Sequence, residues 1–182
     1  MNKDILLSRY AAGERDFNRV NLHQVNLSDI DLSGANLREA DLSGADLSRA
    51  NLSRCNLSHA NLTNAELSGA NISHANFSDT NLIGADMSHV NLEATNLIRA
   101  DLRSCNLVLA NLTRANLSEC ELSGANLSGA NLAYANLTAT NLYEAEIIGT
   151  DLTGVIMTER EMSRERMHTG SSHKWVTWAG SK

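Results

Sequence analysis

The 182-residue chain contains no proline, and aromatic residues make up only 4% of it. Lysine and arginine number 15 against 21 aspartates and glutamates, so the formal net charge is −6. A general nucleic-acid binder would carry a basic excess, and we expect no direct nucleic-acid binding. No apolar run approaches the roughly 18 residues of a membrane span. The apolar run near the start covers only residues 5–7, too short for a signal peptide, so we expect a cytoplasmic protein with no membrane partner.

What the chain has instead is a repeat of five residues. A large apolar residue, here called position i, recurs at every fifth residue from Phe17 to Met157, in 29 repeats without an insertion, and it is Leu in 23 of them. Position i−2 is Ala in 16 of the 29. Position i−1 is almost always Asn, Asp or Glu, and position i+1 favours Ser or Thr. A fixed short period over most of the chain indicates a repeat architecture.

A period of five fits neither a single helix nor a flat strand. Five helical steps of about 100° would send the leucines spiralling around the helix. On a flat strand, an odd period would send successive leucines to opposite faces. The chain must therefore turn once per repeat, with i−2 and i facing inward and i−1 facing outward. Three or four sides both satisfy this condition, and four sides give coils of about 20 residues stacked about 4.8 Å apart.

The repeat resembles the pentapeptide repeat family, whose consensus is A(D/N)LXX. Ala35-Asn36-Leu37 and Ala40-Asp41-Leu42 are examples, and the match covers residues 15–157. The resemblance implies an all-β solenoid, a right-handed quadrilateral β-helix of about seven coils. The alternative, a leucine-rich repeat, has a longer and internally irregular unit.

Positions i and i−2 are expected to fill a narrow interior, in which i−2 must be small where i is large. The expected central residues include Leu22, Leu37, Leu57, Phe77, Leu97, Leu117 and Leu137. The expected small residues include Ala35, Cys55, Ala75, Cys105 and Cys120. The three cysteines fall on different faces of a four-sided coil, so we expect buried thiols in a reducing compartment rather than a disulfide or a metal cluster.

Both ends of such a rod need caps. We predict an N-terminal cap over residues 1–14, with a short helix that ends near Gly13. Its expected apolar face consists of Ile5, Leu6, Leu7 and Tyr10. We predict a C-terminal helical cap and tail over residues 158–182, with a charged helix over residues 158–168. Trp175 and Trp178 belong either to a loose tail or to a segment that covers the last coil.

No pattern in the chain points to catalysis, a cofactor or a metal. The serines have no histidine partner set by the repeat, and no glycine-rich phosphate loop with a following Lys-Ser/Thr is present. His59, His74 and His89 fall on three different faces and show no metal-ligand spacing. We therefore expect no enzyme activity, no cofactor and no metal site.

Charge is unevenly distributed along the chain. Residues 16–157 carry 16 acidic and 7 basic side chains, for a net charge of −9. On the 20-residue period, Asp46, Glu66, Asp86 and Glu146 fall in one outward column. Such a column would steer a basic partner toward the rod. The alternative is random use of Asp and Glu within the Asn/Asp consensus.

Apolar residues replace the usual small polar ones at a few outward positions, which are Ile83, Ile98, Val108, Leu109 and Ile148. Ile83, Ile98, Val108 and Leu109 lie within two coils, although on three adjacent faces. They form a candidate protein-contact belt at the middle of the rod. The alternative is a set of unrelated exposed apolar residues, which are common on protein surfaces.

Together these features predict a non-catalytic scaffold or interaction protein that resembles bacterial, especially cyanobacterial, members of the family. Its protein partner is open, as is the choice between a monomer and an end-to-end dimer. The resemblance also implies an alternative function as an acidic DNA mimic. The fluoroquinolone-resistance branch uses an acidic rod, dimerised through a C-terminal helical module, to occupy the DNA site of gyrase. The seven arginines of the rod and its short basic C-terminal segment depart from that branch.

Overall fold

The computed structural model describes residues 1–157. Helix α1 spans Lys3–Ala11, and the side-chain oxygen of Asn2 caps it by accepting a hydrogen bond from the N–H of Ile5 at 2.9 Å. Gly13, with φ of +94°, turns the chain out of the helix. No helix within residues 1–157 is long and apolar enough to cross a bilayer. The predicted charged helix over residues 158–168 and the placement of the two tryptophans lie outside the described residues.

Helix α1 packs against the first coils of the repeat. Leu6 is fully buried, and Leu7 and Tyr10 are partly buried against the core. The Tyr10 hydroxyl donates to the carbonyl oxygen of Ser33 at 2.9 Å. Ile5, expected on the same apolar face, is instead 51% exposed. One residue along a helix lies about 100° further round its axis, so Ile5 and Leu6 cannot both face the rod squarely.

The chain coils with four pentapeptides per turn. Each i−1 residue forms a parallel bridge with the i−1 residue twenty positions later, from Asp16↔Asn36 to Asn136↔Ile156. This register selects four sides over three. The bridges are isolated single-residue pairings, and no longer strand is present within residues 1–157. The extended part of each repeat is short because two of its five residues form a turn.

We number the four faces by their first central residue. Face 1 begins with Phe17, face 2 with Leu22, face 3 with Leu27 and face 4 with Leu32. Residues twenty apart occupy the same column of a face, one coil further along the rod.

A tight turn separates each face from the next. The N–H of position i+3 donates to the carbonyl of position i, as from Ala45 to Leu42 at 3.0 Å. The residue at i+2 has positive φ in every repeat centred from Phe17 to Leu152. A positive φ at this position alone is the signature of a type II turn, which favours glycine. Gly34 satisfies that preference, whereas Ala94 holds a φ of 53° despite its Cβ.

Every backbone N–H of a typical repeat has a partner, as residues 56–60 illustrate. The i−1 N–H donates to the preceding coil at 3.0 Å, and those of i and i+2 donate to the next coil at 2.7 and 3.0 Å. The i+3 N–H closes the turn at 3.0 Å. The remaining one, on Ser58, donates to the side-chain oxygen of Asn56 at 3.2 Å. Because all five positions use their N–H, proline has no place in the repeat.

Positions i and i−2 fill the interior. The central residues Leu22, Leu37, Leu57, Phe77, Leu97, Leu117 and Leu137 are all at most 1% exposed. The small residues Ala35, Cys55, Ala75, Cys105 and Cys120 are at most 2% exposed. Each buried leucine contributes about 1.5–3 kcal/mol of hydrophobic stabilisation. Toward Met157 the central residues become only partly buried.

Candidate interaction faces

The outward Asn and Asp residues at i−1 hold the coil together. Their side-chain oxygen accepts a hydrogen bond from the N–H two residues later, as from Thr113 to Asn111 at 3.1 Å. Their amide groups also bond from coil to coil. Asn111 Nδ2 donates to Asn91 Oδ1 at 3.0 Å, and Asn91 Nδ2 donates to Asn71 Oδ1 at 3.2 Å. The sequence shows these residues as outward and polar, but their bonding role becomes visible only in the structure.

Glutamate does not perform this role. Within residues 16–157 the bond to the i+1 N–H is present at the Asn and Asp positions and missing at Glu66, Glu121 and Glu146. The glutamate side chain is one methylene longer, which carries its carboxylate past the N–H. Glu66 is exposed.

The predicted acidic column stacks on face 3. Asp46 pairs with Glu66, and Glu66 pairs with Asp86, in successive parallel bridges. Two asparagines separate Asp86 from Glu146 in the same column. The carboxylate of Asp46 accepts from the amide of Asn26 at 3.1 Å. The column therefore consists of three consecutive carboxylates and a fourth three coils away.

The single arginine of face 3 engages a different carboxylate. Arg49 Nη2 lies 2.6 Å from Asp29 Oδ2, and this guanidinium lowers the pKa of Asp29. Within residues 1–157, no basic side chain lies within 4.0 Å of the carboxylates of Asp46, Glu66 or Asp86. Face 3 is the most acidic of the four faces, with five carboxylates against one guanidinium.

A column that contains charges of both signs runs along face 1. Arg19 Nε lies 2.6 Å from Glu39 Oε2, and Arg99 Nε lies 2.7 Å from Asp79 Oδ1. These hydrogen bonds lower the pKa of both Glu39 and Asp79. His59 stands between the two carboxylates, with Nε2 4.0 Å from Asp79 Oδ2. Opposite charges twenty residues apart are the sequence signal that would have revealed this column.

The predicted apolar belt differs from the observed surface. Ile83, Ile98 and Val108 occupy position i+1 and are half-buried. Leu109 occupies position i+2 and is 54% exposed. The remaining large exposed apolar residues of the rod lie nearer Met157 and are Tyr134, Tyr143, Ile148 and Ile156. The exposed apolar surface is therefore displaced from the middle of the rod toward its C-terminal end.

Leu109 and Ile148 belong to face 3, like the acidic column. The side chain of Leu109 lies over Gly129 in the next coil, where an added Cβ would come within 2.8 Å of Leu109 Cδ2. Between Val108 and Ile148 in their column lies Ser128, whose hydroxyl is buried and makes no hydrogen bond. The structure thus joins two surface features that the sequence presented separately.

Comparison with known families identifies the repeat. The model described as "Pentapeptide repeats" matches in eight copies, over residues 16–54, 50–88, 85–124, 95–132 and 120–158. The chain belongs to the pentapeptide repeat family.

Several solved pentapeptide repeat structures are similar to this chain. HetL, involved in heterocyst differentiation regulation in the cyanobacterium Nostoc sp. strain PCC 7120, is 30% identical, with 87% of this chain and 98% of HetL covered and a TM-score of 0.42. A protein of the Arabidopsis thaliana thylakoid lumen is 32% identical, with coverages of 69% and 74% and a TM-score of 0.37. QnrB1, a plasmid-mediated fluoroquinolone resistance protein, is 20% identical in a trypsin-treated form, with coverages of 82% and 92% and a TM-score of 0.47. No curated protein sequence matches the chain significantly.

The cysteines of this pentapeptide repeat protein are core donors. The thiols of Cys55, Cys105 and Cys120 donate to buried carbonyl oxygens at 3.0, 2.9 and 2.7 Å. Thr80, also at i−2, donates to the carbonyl of Leu57 in the same way. Burial raises the pKa of each of the three thiols to about 12, which leaves them protonated and unreactive.

Histidine and carboxylate side chains of the described residues are distributed over all four faces. Residues 1–157 hold no group of three or more His, Cys, Asp or Glu side chains placed to bind a metal ion. An open hollow of about 400 Å³ on face 4 contains Arg54 and His74. No carboxylate lines it, so it lacks an acid–base pair.

Proposed function

We propose that this pentapeptide repeat protein is a non-catalytic interaction module whose partner is another protein. The observation that carries the proposal is the exposure of Leu109 and Ile148 on face 3, where most outward residues are small and polar. Clustered exposed apolar residues are typical of protein contact sites. Many outward polar side chains already bond to other coils, as Asn91 and Asn111 illustrate.

The finer architecture follows from the family resemblance. We infer a right-handed quadrilateral β-helix of about seven coils, in which α1 closes the first end. Because α1 occupies that end, an end-to-end dimer would have to form at the other one. The three free thiols support a reducing, cytoplasmic location.

Affinity capture from the native host tests the interaction function. Wild-type protein should capture a specific protein, and the variant Leu109→Ser/Ile148→Ser should not. The control variant Ile83→Ser/Ile98→Ser, changed at half-buried sites, should still capture it. Capture of the same proteins by all three chains, or of none, would contradict the proposed function.

A second candidate function is the acidic DNA mimic that binds gyrase. The observation that favours it is the stack of Asp46, Glu66 and Asp86, which has no basic side chain within 4.0 Å among residues 1–157. Its carboxylates repeat at about 4.8 Å along the rod. A regular negative stripe presents a DNA-binding enzyme with the charge it recognises in phosphates.

A supercoiling assay tests this alternative. A mimic should inhibit gyrase supercoiling at micromolar concentration, and Asp46→Asn/Glu66→Gln/Asp86→Asn should relieve the inhibition. Absence of inhibition by the wild-type protein at any practical concentration would remove this function.

A further inference from the structure

Face 3 changes character along the rod. Its first part carries Asp46, Glu66 and Asp86, and its last part carries Leu109 and Ile148. Leu109 follows Asp86 by one coil, and Ile148 follows it by three. No other face of the described residues combines three consecutive carboxylates with two large exposed aliphatic side chains.

The apolar part is open and shallow. Leu109 is 54% exposed and Ile148 is 46% exposed, and the coil between them presents only Ser128 and Gly129 outward beyond its i−1 asparagine. Glycine at this position leaves Leu109 lying flat across the next coil. The hydroxyl of Ser128 is buried, so it adds no exposed polar atom between the two aliphatic side chains.

The charged part complements an opposite charge. With Arg49 bonded to Asp29, the next three carboxylates of the face have no basic neighbour within 4.0 Å among residues 1–157. A partner that placed cations over them would relieve the repulsion between stacked carboxylates and gain attraction at the same time.

We propose that face 3 docks a two-part segment of a partner protein, with basic residues over the carboxylate column and large apolar residues over Leu109 and Ile148. The proposal rests on the proposed interaction function and names the partner's chemistry. Two coils separate Asp46 from Asp86 and five separate Asp46 from Ile148, which gives about 10 and 24 Å along the rod. At about 3.3 Å per residue, an extended segment of about seven residues spans the site, with basic residues in its first or last three positions.

Selection of displayed peptides on the full-length protein tests the proposal. The selected peptides should join a basic run to an apolar run, and a synthetic peptide of that kind should bind in solution. The acidic variant, Asp46→Asn/Glu66→Gln/Asp86→Asn, should weaken its binding at least about tenfold and remove its salt dependence. The apolar variant, Leu109→Ser/Ile148→Ser, should weaken binding by a similar factor and leave the salt dependence in place.

Matched controls carry the same changes on other columns. Asp41→Asn/Glu121→Gln/Glu144→Gln removes three charges from face 2, and Ile83→Ser/Ile98→Ser changes two half-buried aliphatic residues. Both controls should bind the peptide like the wild type. Circular dichroism melts should show that all four variants remain folded at the assay temperature.

The other outcomes are distinct. If the face 2 control is the only variant that loses peptide binding, docking on face 3 is overturned and the interaction function still stands. If only one of the acidic and apolar variants weakens peptide binding, the two-part segment is overturned. If the wild-type protein sediments as a dimer and the apolar variant as a monomer, face 3 binds a second copy of this chain and not a separate partner, which would overturn the proposal. Failure to select any peptide would overturn the two-part segment, whereas affinity capture with the wild-type protein would still decide the interaction function.

Discussion

The i+2 residue of each turn adopts positive φ whatever its side chain. Glycine meets this requirement without strain, but Ala94 and many larger residues meet it at a cost in conformational energy. The repetition of the coil therefore imposes one backbone shape on chemically different residues. At the turn, residues other than glycine adopt a strained backbone conformation, and the surrounding hydrogen bonds hold them in it.

Ala94→Gly should stabilise the protein by about 1 kcal/mol, because glycine tolerates the φ of 53° that alanine resists. Gly34→Ala is the matched control in the opposite direction. A Cβ at Gly34 would meet nothing within 4 Å, so only its φ of +71° opposes the change, and we expect a loss of similar size. Urea denaturation measures both free energies of unfolding. Equal stabilities for the two variants would show that the turn carries no strain.

Leu97→Ala should lower the free energy of unfolding by about 2–5 kcal/mol, because the narrow interior cannot collapse around the cavity. Leu97 is fully buried, whereas Leu109, changed to Ala as a control, is 54% exposed and should alter stability by less than about 0.5 kcal/mol. Thermal or urea melts of the two variants provide the measurement. A negligible effect of Leu97→Ala would mean that position i does not face inward.

At the scale of the repeat, the side chain of the i−1 residue bonds both to the turn of its own repeat and to the neighbouring coil. Asn111 accepts from the N–H of Thr113 and donates to Asn91 in the preceding coil. Aspartate preserves the acceptor and loses the donor. Glutamate, as at Glu66, loses the bond to the turn. The preference for Asn and Asp thus has a structural cause that is independent of any ligand.

Asn111→Ala should cost about 1–3 kcal/mol, because it leaves the Thr113 N–H without its acceptor and removes the bond to Asn91. Glu66→Asp should stabilise the protein by about 0.5–1.5 kcal/mol by giving the Ser68 N–H an acceptor. Amide hydrogen exchange should become faster at Thr113 in the first variant and slower at Ser68 in the second. Unchanged exchange at both amides would contradict the role assigned to the i−1 side chain.

At the scale of the whole molecule, charge is arranged in columns along the rod. Face 1 carries charges of both signs and pairs arginines with carboxylates between coils, while face 3 stacks three consecutive carboxylates. The modest net charge of −6 conceals both arrangements. A partner approaching the rod would therefore meet sides of different electrostatic character.

Stability should fall in acid. Hydrogen bonds from arginine lower the folded-state pKa of Asp29, Glu39 and Asp79. Their contribution is fully present above the ordinary carboxylate pKa of about 4 and is lost as the pH falls through the lowered values. The melting temperature should change little between about pH 7 and 5 from these groups and decline below about pH 4.

Arg99→Gln should reduce the acid-dependent loss, since Asp79 then titrates closer to its ordinary value in the folded state. Arg54→Gln is the control, because Arg54 forms no salt bridge within residues 1–157. Melting curves recorded across this pH range provide the test. An identical pH profile for the two variants would exclude a contribution from the Arg99–Asp79 pair.

The candidate site could be predicted only in part. The 20-residue register follows from four-sided closure, so the acidic column could be located from Asp46, Glu66 and Asp86 alone. Leu109 and Val108 are adjacent in sequence, yet one is exposed and the other half-buried. That difference depends on the left-handed turn at Leu109 and on the absence of a side chain at Gly129.

The sequence by itself determined the repeating unit, the inward positions and the family, because a strict period of five leaves few ways to bury a leucine such as Leu57 in every repeat. Only the tertiary structure decided which polar side chains hold the coils together and which carboxylates have no basic side chain within 4.0 Å among residues 1–157. The side-chain bond to the N–H two residues later forms at Asn56 and not at Glu66, because the glutamate side chain is longer by one methylene. Bridges between coils join residues twenty apart. The tertiary structure also placed Leu109 and Ile148 beyond the carboxylates of face 3, because each further twenty residues add one coil along the same face.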